Sequence, residues 1–264
     1  NNSENQNIYA TAVNSGTGAL EIALDVLEVG SGDEVVVPGF MWISSISAII
    51  RSRAIPVLVD SDETLGVDPE DVLKKISTRT KVIMVVPMLG GSSKIGKIMS
   101  AIRKVNKERK KKKLPKINIL EDCAQSLGAE SKGIPGSLKK LLSEDYYKLG
   151  TFGDIGTFSF QLNKDITSDE GGMIVTRSHD LYKKIEALHN AGYIRKEKNN
   201  INWYGDITFG WGHGRRMSEL QASVARVQLG KIEIILKNMR ENYAYFEKKF
   251  QNIGFTTRAK ADEN

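Results

Sequence analysis

Short apolar runs alternate with apolar positions at helical spacing along most of this chain. YATAVNS (9–15) reads as a strand leading into TGALEIALDVLEVG, where Ala19, Leu20, Ala23, Leu24 and Leu27 recur at helical spacing and Gly30 offers a stop. EVVVP (34–38) and IPVLVD (55–60) read as strands on either side of a helix-like ISSISAIIRS (43–52). Asp68 and Pro69 open DPEDVLKKI with a cap and a favoured first-turn proline. KVIMVVPML (81–89) reads as a buried strand, followed by a helix that ends in a basic run. INILEDC (117–123), DIGTFSF (154–160) and GGMIVT (171–176) are again short and apolar, and the last long helical stretch runs from Ser218 to about Phe250.

Strands that alternate with helices predict an α/β fold: a mostly parallel sheet covered on both faces, because parallel strands need crossover connections. Ligands in such sheets bind at the carboxyl ends of the strands. No internal repeat is visible, and most of the 264 residues read as one domain. Hydrophobic and charged contents of 40% and 27% are ordinary, and no run approaches the ~18 apolar residues of a membrane helix, so no membrane insertion is expected. The opening NNSENQNIYA shows no secretory signal, and a single cysteine, Cys123, excludes an internal disulfide; a reducing, cytoplasmic location is the simplest reading.

The net charge of +6 changes the picture only locally. From Arg103 to Lys116 there are nine Lys or Arg and one Glu, a local +8 that leaves −2 for the remainder. Like charges repel and stay solvated, so this stretch is expected to be a helix end and loop dispensable for chemistry. It holds no aromatic residue for base stacking, so no nucleic-acid partner is expected.

Candidate chemistry gathers at strand ends. VNSGTGAL puts Ser15, Gly16 and Thr17 where a strand meets a helix, a place that favours phosphate, although ordinary strand-to-helix turns use the same residues. Asp122 ends an apolar strand, where an unpaired carboxylate is costly; it calls for a cationic partner, or else caps a helix. Lys164 follows the strand-like FSF. A lysine, a carboxylate and a phosphate cradle at one sheet edge are what pyridoxal phosphate requires. No metal is called for.

These residues resemble the DegT, DnrJ, EryC1 and StrS family of sugar aminotransferases. The likeness runs in order through VNSGTGALEIAL, GDEVVVPGFMW, VLVD, EDCAQSLGAE, FGDIGTFSFQLNKDITSDEGGMIVT and RRMSELQASVARVQL. It implies the large domain of a type I pyridoxal phosphate-dependent transferase, aspartate aminotransferase-like, with a mostly parallel seven-stranded sheet, assembled as a homodimer. On that resemblance residues 1–245 form the cofactor-binding domain, with some N-terminal sequence missing, and 246–264 begin a small domain largely absent here. Lys164 matches the lysine that carries the cofactor covalently; a neutral amine is the nucleophile, so a desolvated setting is expected. Asp122 matches the partner of the pyridine nitrogen, and Gln125 the glutamine beside the ring's phenolic oxygen. Ser159, Gly16, Thr17 and Gly18 match the phosphate cradle, and Trp42 the stacking aromatic, with a core tryptophan as the competing reading.

The implied function is amino transfer from an amino-acid donor, glutamate, to a keto group of a nucleotide-activated sugar in amino-sugar biosynthesis. Gln161 is shared with branches acting on cyclitols or aminohydroxybenzoates, so a cyclic ketone without a nucleotide is the alternative; a non-catalytic scaffold is the other. Relatives that dehydrate sugars carry His where this chain has Lys164. Three departures stand out. Gly214-Arg215-Arg216 replaces the usual Asn-Tyr-Arg, removing an amide that reaches the neighbouring subunit's phosphate, for which Arg215 is a possible substitute. Asp169-Glu170-Gly171-Gly172 replaces Gly-Glu-Gly-Gly, and SLKKLLSEDYYKL is an insertion.

Overall fold

The computed structural model describes residues 7–132, 146–193 and 210–260. Seven strands form one sheet: β1 (Tyr9–Val13), β2 (Glu34–Pro38), β3 (Ile55–Val59), β4 (Thr80–Val85), β5 (Asn118–Asp122), β8 (Ile155–Ser159) and β9 (Gly172–Thr176), in the order β1-β9-β8-β5-β4-β2-β3. β8, β5, β4, β2 and β3 are parallel in succession, while β9 runs antiparallel to both β8 and β1. Six carboxyl ends therefore share one edge. Each apolar run read from the sequence is one of these strands. The small β6 (Glu130–Lys132) and β7 (Tyr146–Lys148) pair antiparallel in a separate ribbon. β7 is the described end of the insertion, whose remainder lies outside the described residues.

The core has two layers because alternate residues of each strand face opposite ways. Val35, Val37, Met84, Leu120 and Ile155 pack under α1 (Gly16–Val26), α2 (Ile43–Arg51) and α5 (His179–Leu188). Val36, Ile83, Val85, Ile119 and Phe158 pack under α3 (Pro69–Lys75) and α4 (Ile95–Lys111). The alternation decides where chemistry can go. Asp122 follows Leu120 onto the α1 and α2 side, and Ser159 follows Ile155 onto that same side.

Three local expectations are corrected. α1 ends at Val26, with Glu28 rather than Gly30 turning the chain at φ 59°. The long C-terminal stretch is two helices, α6 (Glu219–Leu229) and α7 (Ile232–Asn252), separated at Gly230–Lys231. Within the basic run, Arg109 is buried, and its guanidinium donates to the carbonyls of Pro115, Ser77, Thr78 and Thr80 at 2.7–3.1 Å. Its position follows Ile95, Ile98, Met99 and Ile102 at helical spacing, so it lies on the buried face of α4. Elsewhere the run is exposed, apart from partly buried Val105, Asn106 and Leu114.

Candidate active site

The turn after β1 is shaped by Ser15, whose Oγ accepts from Gly18 N at 3.0 Å as the N-cap of α1, while its carbonyl accepts from Ala19 N. That leaves the amides of Gly16 and Thr17, which by helix geometry have no acceptor within α1, at the positive end of its dipole. Gly16 lies flat against the end of β8: a Cβ there would sit 2.7 Å from Ser159 Cβ. Thr17 Oγ1 donates to Ser44 Oγ at 3.1 Å, linking the turn to α2. Gly172 meets the same turn, since an added Cβ would come 2.6 Å from Ser15 O. Two amides, two hydroxyls and a surface without Cβ atoms suit a phosphate.

Asp122 is 4% exposed. Its Oδ2 accepts from Ser45 Oγ at 2.7 Å and its Oδ1 from Ala124 N at 3.2 Å, so it shapes a turn and caps no helix. Burial pushes its carboxyl above the ordinary range, opposed by those two hydrogen bonds and by the nearby charge of Lys164. Such a carboxylate favours a buried cation beside it, as a protonated ring nitrogen would be.

Lys164 sits in the turn after β8, its amide donating to Gln161 O at 3.0 Å. It is half-buried, less desolvated than expected, because the turn lies at the open carboxyl edge. Asp165 beside it is also half-buried, and burial raises its carboxyl against the lysine's charge. Gln125 Oε1 accepts from Leu89 N at 3.1 Å, which turns its amide hydrogens toward other partners. Trp42, the N-cap residue of α2, is 62% exposed, so it is no core tryptophan. The structure therefore brings Gly16, Thr17, Gly18 and Ser159 together at one turn, and the charge of Lys164 acts on Asp122.

Two residues escaped the sequence reading. Ser45, which orients Asp122, is a polar residue at the buried face of α2. Glu121 is fully buried and accepts from Gly150 N, Phe152 N and Gly153 N at 2.7–2.8 Å, tying β5 to the loop before β8. Burial favours its neutral form, but three amide donors on both oxygens match the ionised carboxylate, with Arg177 nearby. A charge inside an apolar run was the available signal. Of the departures, Asp169 is exposed at φ 70°, and Arg215 is paired with Glu21 of its own chain rather than left free to reach elsewhere.

The model of the DegT/DnrJ/EryC1/StrS aminotransferase family matches residues 5–264. A GDP-perosamine synthase of Escherichia coli O157:H7 is 34% identical over 246 residues, 93% of this chain and 59% of that protein. An L-glutamine:2-deoxy-scyllo-inosose aminotransferase of Streptomyces kanamyceticus is 31% identical over 251 residues, 94% of this chain and 53% of that one. The solved PLP-form of Spr1654 from Streptococcus pneumoniae superposes with a TM-score of 0.74 at 26% identity, covering 92% of this chain and 60% of that one. The chain thus spans between half and three fifths of the length of these relatives.

Proposed function

The chain belongs to the DegT/DnrJ/EryC1/StrS aminotransferase family, and from that premise we propose that it is the pyridoxal phosphate-binding part of an aminotransferase that moves an amino group from glutamate to a keto group of a nucleotide-activated sugar. The observation that carries this reading is the meeting, at one sheet edge, of a buried carboxylate with a lysine in electrostatic reach and a glycine-lined cradle at a helix N-terminus. When bound, pyridoxal phosphate supplies a carbonyl that takes up amines and a ring that accepts electrons.

The chain's own residues do the remainder. The Gly16 and Thr17 amides with the hydroxyls of Thr17 and Ser159 hold the phosphate, and Gly18 keeps the approach open. Asp122, oriented by Ser45, keeps a proton on the ring nitrogen. Gln125 would donate to the phenolic oxygen, and Trp42, exposed at the head of α2, would be the residue to stack on the ring. Lys164 Nζ would be the group that holds the cofactor and, as a free amine, would serve as the base toward the donor's α-carbon. Half-burial at an open edge fits a side chain that must swing between these two tasks.

A cyclitol ketone is the second reading, favoured by the similarity to the inosose aminotransferase and by Gln161. A homodimer in the cytoplasm completes the proposal, with residues 1–245 as the large domain and 246–264 opening the small one. Support for the dimer comes from α6, none of whose residues is buried, and support for the location from a lone buried cysteine. Among the described residues no helix is long and apolar enough to cross a membrane.

Borohydride reduction of the chain incubated with pyridoxal phosphate, followed by peptide mapping, is expected to place the label on Lys164. Label on the Lys110–Lys113 run instead would remove Lys164 from this role. Product masses from a panel of keto sugars and cyclitols then separate the two substrate readings.

A further inference from the structure

We propose that Arg215 is a positioning residue for the phosphate end of the cofactor site, keeping the N-terminus of α1 electropositive by neutralising Glu21. The inference rests on the pyridoxal phosphate reading above. Glu21 stands four residues beyond Thr17, just over one turn or about 6 Å along α1. It is 7% exposed, so its charge is poorly screened. A phosphate monoester carries about −1.5 to −2 at neutral pH. Left alone, this carboxylate would oppose an anion at the head of its own helix.

Two guanidinium groups hold it. Arg51 Nε lies 2.7 Å from Glu21 Oε1, on a largely exposed side chain, and Arg215 Nη2 holds Oε2. Arg215 reaches there across the phosphate turn itself, since a Cβ added to Gly18 would lie 3.3 Å from Arg215 Cδ. Its backbone is stitched down independently of Glu21: Asn14 N donates to Arg215 O at 2.9 Å, and Arg215 N donates to His189 O at 3.0 Å. Bridges of Val13 with Arg216 and of Asn190 with Gly214 flank it. The Arg215 side chain is therefore held against the turn by the fold, where its charge would act on a phosphate bound there. Gly214 has no side chain to offer, and the adjacent Arg215 supplies charge from the same chain.

The three groups sum to +1. Arg215→Gln lowers that to 0, Glu21→Gln raises it to +2, and the double variant restores +1. Dissociation constants of pyridoxal phosphate and of pyridoxal, measured by equilibrium dialysis on the full chain with folding checked by circular dichroism, test the idea. Arg215→Gln is expected to weaken pyridoxal phosphate about tenfold, equivalent to about 1.4 kcal/mol, and pyridoxal less than twofold. Arg215→Lys and the double variant should stay within threefold of wild type, and Glu21→Gln should bind pyridoxal phosphate as tightly as wild type or tighter. The Arg215→Gln effect should shrink in about 1 M salt. An equal loss for pyridoxal, or a tenfold loss in Glu21→Gln, would reduce the pair to a structural contact and overturn the inference. If Arg215→Gln does not fold, Arg215→Lys and Glu21→Gln decide, a tenfold loss in either being the overturning result. Failure of the wild-type chain to bind pyridoxal phosphate at all would instead overturn the cofactor reading beneath it.

Discussion

Asp122 occupies a position that costs the free chain stability and suits the loaded one. Burial raises its carboxyl above the ordinary value near 3.9. Folding therefore favours the protonated form, and the stability this group contributes is complete below the unfolded value and lost as the pH rises through the raised one. Asp122→Asn has no such ionisation. Relative to wild type, the cofactor-free variant should gain stability as the pH rises above the ordinary carboxylate value, seen as a growing difference in urea midpoint, while amino transfer falls more than tenfold. A flat difference over that rise would show that Asp122 does not titrate as its burial dictates. Gly16 is the opposite kind of residue, needed for what it lacks. Gly16→Ala sets a Cβ 2.7 Å from Ser159 Cβ, so a loss of about 1–3 kcal/mol in unfolding free energy is expected, with weaker cofactor binding. Unchanged stability and unchanged binding would mean that the start of α1 and the end of β8 can separate freely.

At the scale of elements, α4 shows how one cation differs from its neighbours. Arg109 satisfies four carbonyls at the amino edge of the sheet, while Lys110, Lys112 and Lys113 stand exposed just beyond it. Arg109→Ala leaves those carbonyls short of a donor and opens a gap, and should cost about 3 kcal/mol or more in a denaturant titration. Replacing Lys110 to Lys113 with Gln and Ser should change stability by about 0.5 kcal/mol or less and leave turnover unaltered. Geometry sets this contrast: the run lies at the edge opposite the site. A tenfold rise in the Michaelis constant of the replaced chain would give the lysines a substrate role.

At the scale of the whole molecule, the faces left uncovered matter most. Leu220, Val224 and Val227 recur at helical spacing on α6 and are 83%, 48% and 58% exposed. Solvated apolar stripes of this kind mark association surfaces. The proposed homodimer predicts that Leu220→Asp with Val227→Asp sediments as a monomer under conditions where the parent chain sediments as a dimer. A parent chain that is monomeric at micromolar concentration would refute that assembly.

Seven strands, the helices α1 to α4 and the shared carboxyl edge of the sheet were legible in the residues, because each is written in local spacing, while α5 was not read. The continuous apolar run of EVVVP and the helical spacing in ALEIAL need no distant partner to be read. That Lys164 and Asp122 lie near that edge was legible too, since parallel strands deliver their last residues to one edge, whereas Ser159 was read only from the family resemblance. What the sequence alone determined is thus most of the elements and the sheet edge at which the proposed site lies. Tertiary structure alone decided how far Lys164 is buried, that Ser45 orients Asp122, that Glu121 ties β5 to the next loop, and that Arg215 pairs with Glu21 from 194 positions away. Each of those contacts depends on where the chain crosses itself, and local spacing carries no information about such crossings.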